Sequence, residues 1–260
     1  SAWTRWVLGS CSRDPCTATI SGLRGVPARI LRRLRVTLDL LPLRRYPRRQ
    51  PAAWSVGRLP RRVARIVARL RPGIVHLHWI GAALSVRAIG DLPGTTVWTH
   101  HDWGAFTGGC RCPADCRRFV SGCGACPLLG SRKEDDLSAR TCRRKQRLWQ
   151  GARFRSVAVG SGIARDVRDS LLLGRHPCTV IPNGIDTERF RPLDQARARE
   201  ALGIDPRAFI VFCGAYTLDA PLKGARELPA ALALWRRRHS AARVCVVLAG
   251  HGRLPGIEAA

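Results

Sequence analysis

Residues 74–102 read IVHLHWIGAALSVRAIGDLPGTTVWTHHD, and the punctuation of this stretch decides the fold class. Ile74 to Ile80 is an apolar run of strand length, Ala82 to Ile89 has helical spacing, Leu92-Pro93-Gly94 breaks that helix, and Thr95 to Thr99 is a second β-like run. Strand, helix and strand in this order predict a β-α-β unit, and hence a parallel pair with a helix packed on it. In the first strand His76 and His78 alternate with Val75, Leu77 and Trp79, so both imidazoles leave on one face. As metal ligands they would need a third neighbour, so a buried pair hydrogen-bonded to backbone is the plainer expectation. The second strand runs out on His100, His101 and Asp102. Titratable residues at a strand end are where ligands meet an open parallel sheet.

Directly downstream the chain reads WGAFTGGCRCPADCRRFVSGCGACP, residues 103–127, a Gly-, Pro- and Cys-rich loop that no packing argument requires. Cys110, Cys116, Cys123 and Cys126 are spaced C-x5-C-x6-C-x2-C. The terminal CxxC lets one turn present two thiolates to a metal, so the four cysteines are candidate ligands of one structural Zn2+, closed and without a catalytic role. Cys112 complicates this reading, because a fifth thiol could displace a neighbour; two disulfides or an iron-sulfur cluster remain alternatives.

Upstream, Pro60 to Leu70 is expected to be a helix with Val63, Ile66, Val67 and Leu70 on one face, closed by Arg71-Pro72-Gly73. Before it, Ile30, Leu31, Leu34, Leu38 and Leu41 recur at near-helical spacing among arginines, as a packed surface helix or one lying on anionic lipid. Trp3 to Leu8 reads as a strand. Downstream, a helix from Asp135 to Trp149 and a strand from Ser156 to Val159 lead to Gly160-Ser161-Gly162 and a helix over Ile163 to Leu173. Free N–H groups at such a turn make Ser161 a weak phosphate-site candidate. Cys178 to Ile181 is a further strand, with Pro182-Asn183-Gly184-Ile185-Asp186 as its turn. A short helix follows over Leu193 to Leu202. A second α/β unit then runs through the strand Phe209 to Cys213, Gly214, Lys223-Gly224, the helix Ala225 to His239 and the strand Val244 to Ala249. The expected organisation is an N-terminal Rossmann-like domain over 1–192, a linker over 193–208, and the start of a second domain over 209–260, whose two strands and one helix are too few to close a core.

The chain has 260 residues, is 45% hydrophobic, and contains no apolar run of membrane-spanning length. It contains no Met and nothing like a secretory leader, so the stretch reads as part of a longer or processed chain. The formal charge of +27 is carried by arginine, since Lys133, Lys145 and Lys223 are the lysines. Guanidinium clusters suit anionic partners: phosphorylated substrates, an anionic membrane surface or nucleic acid. Specific nucleic-acid binding is disfavoured, because few aromatics interleave the basic runs, and a compositional choice of Arg on solvated faces would also serve. Of the eleven cysteines, Cys178, Cys213 and Cys245 sit singly in apolar runs, as reduced thiols do. A cytoplasmic location is expected, with peripheral attachment to the inner membrane face as the lipid option.

Taken together, IVHLHWI, VWTHHDWGAFTGGC with its CxxC-P ending, VIPNGIDTERFRP, and FCGAY with the later KG resemble a retaining family-4 glycosyltransferase of the GT-B fold, in the subgroup with a cysteine-bearing loop after the His-Asp. The resemblance covers about residues 60 to 250. It implies two Rossmann-like domains facing a cleft, with the second cut short here. It also implies transfer of a sugar from a nucleotide-sugar donor to a glycan or lipid-linked acceptor, in cell-envelope polysaccharide synthesis, without a catalytic metal. By motif match, His101 and Asp102 are the catalytic candidates, with His101 touching the donor sugar. Lys223, with Gly214 and Gly224, is matched to the donor diphosphate, and Asn183 and Gly184 to the interdomain turn. Ala215 stands where the family usually has a diphosphate-binding Arg after Gly214. The family's paired glutamates would lie beyond Ala260 and its Gly-rich loop before Ser1, so this stretch alone is expected not to turn over. The competing classes are a zinc-stapled basic nucleic-acid-binding protein and a non-catalytic scaffold.

Overall fold

The computed structural model describes residues 37–59, 62–80, 84–218, 220, 223–252, 254, 256 and 257, with residue 34 and the backbone of 5–7 and 17–19. The chain divides into two compact units, Ser1–Gly184 and Ile185–Ala260.

In the first unit β1 (Arg5–Val7) and β2 (Thr17–Thr19) form a short parallel pair. Helix α1 (Arg62–Leu70) leads into β3 (Ile74–Leu77), α2 (Val86–Gly90) into β4 (Thr95–His100), α3 (Leu137–Leu148) into β5 (Phe154–Ala158), and α4 (Ser161–Asp169) into β6 (Cys178–Val180). Strands β3 to β6 lie side by side in chain order, all parallel. Each return therefore needs a crossover, and each crossover carries a helix. The register pairs Ile74 with Thr95, and Thr96 with Phe154, which makes β4 interior and buries Thr96, Trp98, Thr99 and His100.

The core is aromatic. Trp98, Trp149 and Phe154 meet at centroid distances of 5.4 to 6.0 Å, and the Trp149 indole N–H donates to the Val86 carbonyl at 2.8 Å, tying α3 to α2. Val167, Leu172 and Leu173 close it from the α4 side, each large apolar side chain contributing about 2 kcal/mol by leaving water. A second cluster of Leu43, Val56, Cys126, Leu129 and Leu137 lies under the cysteine loop. There Trp54 bridges to Cys110, and a side chain on Gly108 would collide with the Ser138 carbonyl, which explains half of the Gly-Gly turn.

Several boundaries differ from expectation. Strand β3 stops at Leu77 rather than Ile80, because Trp79 takes a left-handed backbone (φ 43°) that no strand continues. Helix α4 ends at Asp169, not Leu173: the Ser170 hydroxyl turns back onto the Val167 carbonyl at 2.7 Å, and Leu172 and Leu173 reach the core from a turn. Of the expected leucine stripe, residues 30 and 31 lie outside the described residues, while Leu34, Leu38 and Leu41 are exposed and Leu43 is buried.

In the second unit α5 (Gln195–Ala201) precedes β7 (Phe209–Thr217), α6 (Leu228–Arg238) and β8 (Val244–His251), with β7 and β8 parallel. Strand β7 was expected to end at Cys213. It runs on to Thr217, because Gly214 pairs with Ala249 inside the ladder before the register shifts. Phe209, Phe212, Tyr216 and Leu234 are exposed, while Ala208, Leu218, Ala225 and Leu254 are buried. Among the described residues no helix is long and apolar enough to cross a membrane.

Candidate functional site

The site forms where β4 runs out. His100 is the last strand residue, 1% exposed, with Nε2 3.0 Å from the Ser156 hydroxyl on β5 and its ring edge-on to Phe106. Its Nδ1 is buried without a hydrogen-bond partner among the described residues. Burial, only partly offset by the Asp102 carboxylate, pushes its pKa down to about 4, so the ring is neutral near pH 7. His101, one residue on, points away from the core: its Nε2 lies 3.0 Å from His78 Nδ1, and its ring stacks on Trp79 at 5.2 Å and 10°.

His76 and His78 were expected to be buried against backbone; both are exposed, and their partners are side chains across the strand, Thr99 Oγ1 at 2.8 Å for His76 and His101 for His78. Burial, and after it His101, lower the His76 pKa.

Trp79 completes this layer. The residue is 60% exposed, and the Arg111 guanidinium lies 4.8 Å from the ring centre. Holding a bulky residue at φ 43° costs about 1 to 3 kcal/mol, and such strain gathers at binding sites. Asp102 ties the arrangement together. Its Oδ1 accepts from the Gly104 N–H at 2.8 Å, opening a 3-10 turn over Trp103–Ala105, and its Oδ2 accepts from Arg111 Nε and Nη2, both at 2.7 Å. Both carboxylate oxygens are thus engaged in orienting Arg111 and the loop. His100, His101, Asp102, Arg111 and Trp79 line a cavity of about 70 Å³, enough for a few waters or one substituent of a sugar ring, not for the whole ring.

Behind the cavity Lys145 of α3 is fully buried, with its ammonium donating to the carbonyls of Gly104 (2.6 Å), Ala105 (3.1 Å) and Thr107 (2.9 Å). Burial lowers its pKa to about 8, opposed by the neighbouring cysteines. This one side chain fixes the start of the cysteine loop. Asp136, the N-cap of α3, fixes the other end. It accepts from the N–H groups of Ser138 and Ala139 at 2.8 and 3.1 Å, from the Ser138 hydroxyl at 2.6 Å, and from the Cys126 N–H at 2.8 Å. Burial alone would raise its pKa, but these bonds hold it below the usual carboxylate value.

Cys110, Cys116, Cys123 and Cys126 line one cavity of about 20 Å³. The described cysteines form no disulfide, and among the described residues no three His, Cys, Asp or Glu side chains are grouped as metal ligands. Cys123 turns towards Cys142 of α3 instead. The hydrogen bond between them raises the Cys123 pKa and lowers that of Cys142 to about 6, while Cys123 Sγ also accepts the Gly108 N–H at 3.1 Å. Burial, reinforced by Cys126 and Cys116, raises Cys110 to about 11.

Of the residues singled out from sequence, His101 and Asp102 meet in the first cavity and the four cysteines in the second. Ser161 is exposed in the first turn of α4, and Asn183 and Gly184 are exposed beyond β6; none of the three lines either cavity. Gly214, Lys223 and Gly224 belong to the second unit. Gly214 is held within β7, Lys223 is exposed with its N–H on the Ala220 carbonyl at 3.1 Å, and Gly224 is left-handed (φ 69°) at the start of the turn into α6. Sequence reasoning missed Trp79, Arg111 and Lys145. A lysine inside RRKQR, in a chain that otherwise uses arginine, was the available signal for Lys145.

A parallel α/β sheet with its polar cluster at the C-terminal end of an interior strand defines a ligand-binding Rossmann-like unit. A family model described as Glycosyltransferase Family 4 matches residues 21–189, and the chain belongs to that family. It is a glycosyltransferase by family, and its parallel sheets are consistent with the Rossmann-like GT-B fold. No curated protein gives a significant match.

Proposed function

We propose that the protein transfers a sugar from a nucleotide-sugar donor to a glycan or lipid-linked acceptor with retention of configuration, in cell-envelope polysaccharide synthesis. The observation that carries the reading is the His101 cavity: an imidazole stacked on an exposed indole, beside an oriented guanidinium, at the strand end of a family-4 chain. Stacked aromatic and polar groups suit a sugar, whose ring has apolar C–H faces and hydroxyl edges. In this reading His101 touches the donor sugar and Asp102 positions Arg111 and the loop. The acceptor's hydroxyl oxygen forms the new bond to the anomeric carbon as the bond to the phosphate oxygen breaks; the electron pair leaves with that oxygen, and the hydroxyl proton passes to the departing nucleoside diphosphate. Lys223 stabilises the charge that develops there, next to the left-handed Gly224, with Gly214 a further donor contact offered from β7.

Ligand-observed NMR of the full-length protein with a panel of nucleotide sugars tests the reading. Saturable contact with one donor supports it, and contact with none overturns it. Lys223→Ala should raise the barrier by about 2 to 4 kcal/mol, the range for one preorganised electrostatic partner. Unchanged turnover removes Lys223 from the site.

The cysteine loop is proposed to hold one structural Zn2+ through Cys110, Cys116, Cys123 and Cys126. Their shared cavity supports this; their present grouping does not, since Cys123 must exchange Cys142 for the metal. Metal analysis with a thiol count on anaerobically purified protein tests it. One zinc per chain supports the proposal, whereas iron, or no metal with thiols missing, replaces it with a cluster or disulfides.

A further inference from the structure

Helix α3 carries Arg140, Arg143, Arg144 and Arg147, at i, i+3, i+4 and i+7, on one face. Arg45, from the 3-10 turn Leu41–Arg45, and Arg58, beyond Val56, face the same space, and the six guanidinium-bearing residues line a groove of about 710 Å³. Among the described residues Val56 is the one it shares with the lining of the His101 cavity. Among the described residues no Asp or Glu lines it. Asp135, outside it, pairs with Arg140 and Arg143. Asp39, buried close by, spends its oxygens on the N–H groups of Gly57 (2.9 Å), Arg58 (2.7 Å) and Leu59 (3.3 Å). Among the described residues Arg45, Arg58, Arg144 and Arg147 form no ion pair. Arg144 donates to the Val56 carbonyl, and burial, followed by the Arg58 charge, lowers its pKa.

Like charges four residues apart each destabilise a helix by a few tenths of a kcal/mol, and a half-buried guanidinium adds desolvation. A helix that concentrates them on one concave face is matched to an anion. Guanidinium forks bind phosphate oxygens in pairs, and a groove of this volume exceeds a single phosphate. Tyr46 adds a neutral donor: its hydroxyl oxygen accepts from the Leu137 N–H at 2.8 Å and from Arg140 at 3.4 Å, which leaves the phenolic hydrogen for an acceptor in the groove.

We propose that this groove is a binding site for a phosphate-bearing anion, separate from the sugar-transfer site. Nucleic acid fits poorly, because among the described residues Tyr46 alone of the aromatics lines the groove, and it is half-buried with its hydroxyl tied to Leu137 and Arg140, which leaves no platform for stacking successive bases. The phosphate can arrive on a soluble ligand or on a lipid head group. The exposed Leu38 and Leu41 beside Pro42 and Arg45 give the second source an apolar contact.

The test compares the wild-type chain with Arg58→Gln/Arg147→Gln, neither of whose side chains makes a hydrogen bond among the described residues. The control is Arg236→Gln/Arg237→Gln, which removes equal charge from the last turn of α6. Titration calorimetry with inorganic pyrophosphate and co-sedimentation with phosphatidylglycerol or phosphatidylcholine vesicles are run at about 150 mM chloride, where long-range attraction is screened. Saturable pyrophosphate binding, about tenfold weaker in the groove variant and unchanged in the control, supports the site with a soluble source. The same loss confined to phosphatidylglycerol vesicles supports it with a head-group source. Equal losses in both variants, or no binding in either arm, overturn it. Neither readout needs glycosyl transfer, so failure here leaves the transferase reading standing.

Discussion

At the scale of single residues, neighbouring histidines are given opposite tasks by strand alternation. His100 points into the core and is neutral, whereas His101 faces the cavity and shares a hydrogen bond with His78. His101→Ala is expected to lower turnover with little change in melting temperature. His100→Ala should destabilise the fold by about 2 to 4 kcal/mol through the cavity it leaves and the lost Ser156 bond. Loss of activity at His100 alone, with stability intact, would reverse the assignment. The buried ring also carries a pH signature. Its folded pKa, about 4, lies below the ordinary 6.5, so as pH falls through 6.5 the unfolded chain takes up a proton that the folded chain refuses. Stability conferred by the neutral ring is complete above pH 6.5 and is lost towards pH 4, by about 3 kcal/mol. Urea unfolding at pH 7 and near pH 4.5 should show this loss, and His100→Asn should flatten it; a wild-type profile as flat as the variant's contradicts the account.

At the scale of elements, the cysteine loop is held by α3 rather than by its own backbone. Lys145 takes three carbonyls at one end of the loop, and Asp136 both caps the helix and takes the Cys126 N–H at the other. Asp136→Ala removes a cap worth about 1 kcal/mol and leaves a buried N–H unpaired at a further cost of about 1 to 3 kcal/mol. A melting-temperature drop is therefore expected, with faster amide exchange at Cys126. A drop with Cys126 still protected would mean that the loop holds itself. These ties also mark where sequence reasoning stopped. A helix opening at Asp135, one residue before the observed cap, and Trp98 on a strand follow from local sequence pattern. Lys145 reaching back 41 residues, or His76 meeting Thr99, depends on register and packing that no local pattern carries. The strand expected over Phe209 to Cys213 stops short of Gly214; glycine weakens strands, but a backbone ladder with Ala249 needs no side chain and carries β7 through it. Trp79 was hidden in the same way. Alternation placed it on an extended strand, and a left-handed backbone is invisible in the residue type.

At the scale of the whole molecule, the two units differ in how much they bury. The first has an aromatic core spanning β3 to β5, α2, α3 and α4, whereas the second leaves Phe209, Phe212, Tyr216 and Leu234 exposed. Local opening follows buried apolar contact, so the units should not share one unfolding free energy. The residues from 181 to 197 are all exposed, so the start of the second unit offers proteases an accessible arginine at Arg189. In native-state hydrogen exchange, amides of β4 and β5 should be the slowest in the chain, and those of β7 and β8 should exchange earlier and at lower denaturant. Brief trypsin treatment should cut first after Arg189, since Arg191 is followed by Pro192 and resists trypsin, and leave the first unit intact. If β7 and β8 exchange with β4 in one cooperative step, the burial argument fails and the two units fold as one.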